Sequence, residues 1–217
     1  MRTPFALAAL LLSSPALSAD CSDFFQSVSF GNIARLNASE HPQQCVNTLS
    51  SNGKTAVYIA TENDDPAMIA WLVKRGADLK QRSRYDDINY TPFLMAGAKG
   101  KNKALVELLK YDIDFASTNH YGGTALIPAA EKGYLETVKI LLEDGRTNIN
   151  HVNDLGWTAL MEVAVLGKDT ENYQMIVKEL LKHGADANLR DNQGESALQH
   201  AESRGLTQIA EILKKSG

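Results

Sequence analysis

Apolar side chains recur along this chain in short runs at helical spacing, each run broken by glycine, proline or a small polar residue. Leu105-Val106-Glu107-Leu108-Leu109 and Val138-Lys139-Ile140-Leu141-Leu142 each put their apolar members on one face of a helix. Before each such run lies another segment built around alanine: Ala60, Ala96, Ala129-Ala130, Ala164 and Ala201. A glycine separates the two segments of a pair. The pattern predicts pairs of short helices, the first with a small-residue face that lets neighbours approach closely.

The pairs keep a common phase. Five strings align: Lys54-Thr55-Ala56-Val57, Tyr90-Thr91-Pro92-Phe93, Gly123-Thr124-Ala125-Leu126, Trp157-Thr158-Ala159-Leu160 and Glu195-Ser196-Ala197-Leu198. Their hydroxyl residues stand 36, 33, 34 and 38 apart, and stepping back 33 from Thr55 reaches Ser22. Nine residues after these positions come Gly31, Gly100, Gly133, Gly167 and Gly205. Gly76, Asp112, Gly145 and Gly217 close the units, with Gly184 five residues late after an insertion. Each hydroxyl residue is expected to cap a helix, Ser22 included, and Pro92 fits a first helical position. The closing glycines suit a left-handed helix end. One such unit cannot bury its own apolar face, so copies must stack into a solenoid.

This arrangement resembles the ankyrin repeat, with its Thr-Pro-Leu-His-x-Ala opening, mid-repeat glycine and closing Gly-Ala-Asp. Gly76-Ala77-Asp78 and Gly184-Ala185-Asp186 match the closing string, while the motif histidine is replaced by Tyr58, Leu94, Ile127, Met161 and Gln199. The resemblance implies an all-α solenoid of about six helix-turn-helix repeats with β-turn fingers, near 22–54, 55–90, 91–123, 124–157, 158–195 and 196–217. Two insertions break the period, one around Arg82–Asp87 and one around Lys168–Asn172. The first lies on the finger side and is read as the functional one.

Residues 1–19 read as an address. Arg2 is followed by the apolar run Phe5–Leu12 and by the small residues Ala16-Leu17-Ser18-Ala19, the layout of a secretory signal peptide cut after Ala19. The run is too short to span a bilayer. Asp20 before Cys21 weighs against a lipid-anchored cysteine. A single mature domain over residues 20–217 is therefore expected in a periplasm, with secretion or lipid anchoring as the other destinations. In such an oxidising compartment Cys21 and Cys45, placed at one end of the first helix pair, are expected to form a disulfide. Pro42 is read as the stop of that pair's second helix.

Composition narrows the function. Of 217 residues 22% are charged, and the net charge of −4 with no basic block argues against nucleic acid as a partner. No phosphate loop, nucleophile elbow or His-Glu-x-x-His helix occurs. The five histidines fall in different repeats or on different faces and read as surface or turn residues. Asp64-Asp65 and Asp86-Asp87 read as turn residues. No cofactor, metal or catalytic set is expected, and the chain is read as a binder of another protein.

Residues one and three before each repeat's Thr should sit near the fingertips. They give polar outer fingers (Asn52/Lys54 and Gln193/Glu195) around the apolar column Ile88, Tyr90, Tyr121, Leu155 and Trp157, with Tyr85 beside it. An aromatic patch with a polar rim marks a protein partner site. The competing reading has each residue packing on its own finger stem. Likeness to small exported ankyrin proteins of Gram-negative bacteria implies an immunity protein that neutralises a type VI secretion effector such as a phospholipase. The alternative it implies is an accessory protein for a periplasmic enzyme such as a catalase. A secreted effector acting on a host protein is a third class, disfavoured by the signal peptide.

Overall fold

A computed structural model describes residues 21–39, 42–84 and 89–216. The expected leader at 1–19, the column residue Ile88 with Tyr85 beside it, the Asp86-Asp87 pair, His41 and Gly217 lie outside the described residues.

Helices come in pairs. The first members are α1 (Ser22–Ser29), α4 (Ala56–Glu62), α6 (Pro92–Lys99), α8 (Leu126–Glu131), α10 (Ala159–Leu166) and α12 (Ala197–Ser203). The second members are α2 (Ile33–Ala38), α5 (Pro66–Val73), α7 (Asn102–Leu108), α9 (Leu135–Asp144), α11 (Glu171–Lys182) and α13 (Thr207–Lys214). A further turn, α3 (Pro42–Cys45), follows α2. Consecutive first members pack on one another, and from α5 onward so do consecutive second members, which makes an all-α solenoid of two layers. The only extended pairing among the described residues is two isolated bridges at finger bases, Leu49 with Thr55 and Arg190 with Ser196.

Small side chains set how closely the layers stack. Ala60, Ala96, Ala129, Ala130, Ala164 and Ala201 are completely buried. The tightest point is Gly97 on α6, where a Cβ would lie 2.6 Å from the Ala125 carbonyl oxygen and 2.7 Å from the Ala125 Cβ. Large apolar residues such as Met68, Leu105, Leu141, Ile176 and Leu180 fill the space between the layers.

The hydroxyl caps act as expected in four repeats. Thr55, Thr91, Thr158 and Ser196 accept from the backbone amides of Tyr58, Leu94, Met161 and Gln199, and the Gln199 side chain completes a capping box with Ser196. Two caps differ. Cys21, not Ser22, holds the cap position of α1 and makes no side-chain cap bond. In the fourth repeat the helix starts at Leu126, so Thr124 caps nothing and its buried Oγ1 has no hydrogen-bond partner among the described residues. Asp64 takes the mid-repeat glycine's place with φ 54°, and its Oδ1 accepts from Ala104 N of the next repeat at 2.8 Å.

Pro42 also differs from expectation: it opens α3 rather than ending α2, because proline's missing N–H is harmless in a first turn. That extra turn carries Cys45 back to Cys21, and the two are bonded with a Cα–Cα distance of 5.6 Å. The bond ties the start of α1 to the segment leading into the second repeat. Closing a loop of 24 residues should stabilise by about 3 kcal/mol on the chain-entropy model. The Cys21→Ser/Cys45→Ser double variant is therefore expected to lose that amount in urea denaturation, and native protein to show no titratable thiol. Two reactive thiols in the oxidised protein would contradict the bond.

Candidate partner-binding face

Four fingers are each built by one side chain five residues before the repeat's hydroxyl. Asn119 Oδ1 accepts from the amides of Tyr121 and Gly123, both at 2.9 Å. Asn153 Oδ1 does the same for Leu155 and Trp157 at 3.0 and 2.9 Å, and Asp191 Oδ1 for Gln193 and Glu195 at 2.9 and 3.0 Å. Ser50 accepts from Lys54 N at 2.9 Å, whereas Ser83 accepts from Thr55 N of the preceding finger at 3.1 Å and so ties two fingers together. The bonds of Asn119, Asn153, Asp191 and Ser50 are Asx and Ser turns, which satisfy the finger backbone locally. Two residues before the hydroxyl, Gly53, Gly122, Gly156 and Gly194 take positive φ, and Asn89 stands in their place at φ 53°.

Neighbouring fingers are then tied to each other. Asp154 N donates to Tyr121 O at 3.0 Å, and Asn192 Nδ2 donates to Asp154 O at 3.1 Å. His151 Nε2 lies 2.7 Å from Gly122 O. A surface braced at this density is rigid before any partner arrives.

The apolar column divides on this frame. Tyr121 and Leu155 are exposed at 64% and 55%, and Val152 adds a third exposed apolar side chain on the same finger as Leu155. The His120 ring lies against Tyr121 with centroids 3.6 Å apart. Tyr90, in contrast, is buried in the core and is not an exposed anchor. Trp157 is half-buried against the core, and its Nε1 donates to Asp191 Oδ2 at 3.1 Å in the next finger. Its ring also meets His200 edge-on. Tyr90 and Trp157 thus belong to the scaffold, since the turn that lifts Tyr121 and Leu155 outward points residues next to the hydroxyl inward. Of the polar rim, Lys54 is itself buried and paired with Glu62 at 2.7 Å.

Two buried titratable groups escaped the sequence reading. Asp191 Oδ2 receives Trp157 and lies 2.8 Å from His200 Nε2, so His200, only 13% exposed in its side chain, is a structural partner rather than a surface histidine. Burial alone would raise the Asp191 carboxyl, but the Glu195 amide, His200, the Gln193 amide and Trp157 outweigh it and hold the group at about 2. Glu162 occupies the place on α10 that His200 occupies on α12. It is 5% exposed, and its Oε1 accepts from Asn153 Nδ2 at 2.9 Å. Its Oε2 is buried with no hydrogen-bond partner among the described residues. Burial, reinforced by the negative charge of Glu131, pushes this carboxyl up to about 7 against the opposing pull of Lys132 and Asn153. The signal for both was the nine-residue step from the finger's Asn or Asp to a polar residue in the following helix.

The second insertion is a brace on its edge. Asp169 accepts from the amides of Gln208 and Ile209 at 2.9 and 3.1 Å, capping α13 from the preceding repeat. Tyr173 Oη donates to Glu131 O at 2.9 Å on the other side.

The comparisons agree with this geometry. The family described as Ankyrin repeats (3 copies) matches residues 83–153 and 129–217, more than half of the chain. The ankyrin repeat protein YahD of Escherichia coli (strain K12) is 36% identical over 172 residues, covering 79% of this chain and 84% of its own length. The ankyrin repeat protein FPV031 of fowlpox virus (strain NVSL) is 33% identical over 142 residues, 64% of this chain and 40% of that protein. Among solved structures, an ankyrin repeat domain from Acinetobacter baumannii AYE superposes with a TM-score of 0.81 at 39% identity, covering 91% of this chain and 99% of that one. EF0377, another ankyrin repeat protein, gives 0.79 at 37% identity over 89% and 95% of the two chains. The chain belongs to the ankyrin repeat family, whose members are generally non-catalytic modules that bind other proteins. No helix among the described residues is long and apolar enough to cross a membrane.

Glu162 makes a pH-dependent contribution with a definite sign. Its folded value lies above its ordinary 4.5, so the ionised form is disfavoured by folding. Stability should fall as pH rises from about 4.5 to about 7, by about 3 kcal/mol in all, and then level off. Glu162→Gln is expected to match the parent near pH 4 and exceed it at pH 8 in urea denaturation. Parallel pH profiles for the two proteins would contradict a raised Glu162.

Proposed function

We propose that this chain is an exported, non-catalytic binder of one folded protein, engaged through the fingertips that carry Tyr121 and Leu155. That exposed pair is the observation that carries the reading. Two large apolar side chains on adjacent fingers, cross-linked by the Asp154–Tyr121 backbone bond, form a rigid patch at low entropic cost of binding. The Cys21–Cys45 bond and the leader-like residues 1–19 support export to an oxidising compartment, a periplasm in this reading. An acidic, pre-braced binder suits one-to-one blockade of a toxin, so the preferred role is immunity against a secreted effector such as a phospholipase.

Capture with the tagged mature chain from the periplasm of the cell that makes it, followed by titration of the captured protein, tests this. Tyr121→Ala and Leu155→Ala should each weaken binding by about 1–2 kcal/mol with little change in melting temperature. Trp157→Ala should instead lower stability by about 3 kcal/mol, with unchanged affinity per folded molecule. Fingertip variants that bind as tightly as the parent would remove the reading. A captured toxin supports the immunity role, whereas a captured enzyme such as a catalase supports the accessory role.

A further inference from the structure

The Glu162 carboxyl sits between the base of its own finger and the end of α8, one repeat back. The charged groups acting on it are Glu131 and Lys132, both from the end of α8, and its one hydrogen bond comes from Asn153. The Asp191–His200 pair of the next repeat is closed on itself, with Glu195 at 3.5 Å from the other ring nitrogen. Glu131 is bound to Lys132 at 2.7 Å, and these two side chains, 29% and 52% exposed, open the cluster to solvent. Inside, Glu162 Oε2 is covered and unpaired. Buried oxygens are ordinarily matched, and a covered one without a partner marks a place where a ligand group can be received.

Charge decides what kind of group. Two carboxyls stand here against one ammonium, so a hydroxyl or amide would satisfy Oε2 and leave the Glu131–Glu162 repulsion in place. A guanidinium or ammonium satisfies the oxygen and cancels the repulsion together. Lys132, with a side chain 52% exposed, is the group that has to swing out to admit it. We propose that the Glu131–Lys132–Glu162 cluster receives one basic side chain of the protein partner, held by the Glu162 carboxylate with Glu131 beside it. This rests on the reading of the chain as a protein binder and names the chemistry of one anchor, separate from the fingertip patch. Receiving the cation favours the ionised carboxylate, so near neutral pH binding releases a proton from Glu162 to solvent.

The test needs no knowledge of the partner. The folded chain, labelled with carbon-13 at glutamate carboxyls, is titrated with pH in the presence of acetyl-Gly-Arg-Gly-amide or its neutral citrulline counterpart. The Glu162 signal is the one missing from Glu162→Gln. Saturating arginine peptide should lower the Glu162 midpoint by about one pH unit, a tenfold preference for the ionised form, and the citrulline peptide should leave it unmoved. Glu131→Gln should cut that fall by at least half, and Tyr121→Ala should preserve it, which separates this anchor from the fingertips. A midpoint that the arginine peptide moves no further than the citrulline peptide does overturns the proposal, as does a free-chain midpoint near that of an exposed glutamate.

Discussion

Everything in this molecule depends on how closely the first-member helices can lie against one another. An isolated helix pair has an apolar stripe and nothing to cover it, so its neighbour must come near enough to exclude water. Fully buried alanines at the same phase in successive repeats, and glycine at position 97, permit that approach. The large apolar residues then fill the interlayer space, and the second-member helices follow the spacing of the first. The fingers inherit that spacing too, because each leads directly into a first-member helix. Their cross-bonds, such as Asp154 to Tyr121 and Asn192 to Asp154, close only if adjacent helices are held at one fixed distance.

Recognition is built as an overlay on this frame. A single Asn, Asp or Ser folds four of the fingers, and glycine two residues before the hydroxyl completes the turn. What differs from finger to finger is the residue presented outward and the group placed nine residues after the turn-former. At Asn153 that group is Glu162, and at Asp191 it is His200, so the same geometry yields a carboxyl pushed up in one repeat and one held down in the next. A repeat architecture can thus vary local electrostatics while the backbone stays constant.

The periodic part of this was legible in the sequence because it is local. Hydroxyl caps, alanine faces and closing glycines act within a few residues of themselves, and Thr55, Thr91, Thr158 and Ser196 cap as their spacing implies. The site was less legible because exposure is a property of neighbours. Tyr90 and Tyr121 are both aromatic finger residues, yet one is buried and the other is not. The difference lies in position relative to the turn-former: the residue next to the hydroxyl points into the stack, as Trp157 shows by reaching Asp191 one finger on. Thr124 fails as a cap because its helix begins one residue later, an end effect that a repeat phase does not encode. Glu162 and Asp191 were invisible as a pair of opposites, since each owes its state to groups contributed by other segments.

Gly97 offers the most direct test of stacking as the controlling interaction. It lies within α6 at a helical φ, where helix propensity alone makes Gly97→Ala stabilising by about 1 kcal/mol. The added Cβ would instead meet the Ala125 carbonyl oxygen at 2.6 Å, an atom of backbone that cannot rotate away. If close stacking governs the fold, urea denaturation of Gly97→Ala should show a loss of about 1–3 kcal/mol, as overpacked cores do. A variant as stable as the parent, or more stable, would contradict it and show that the repeats stand further apart than the fingers require.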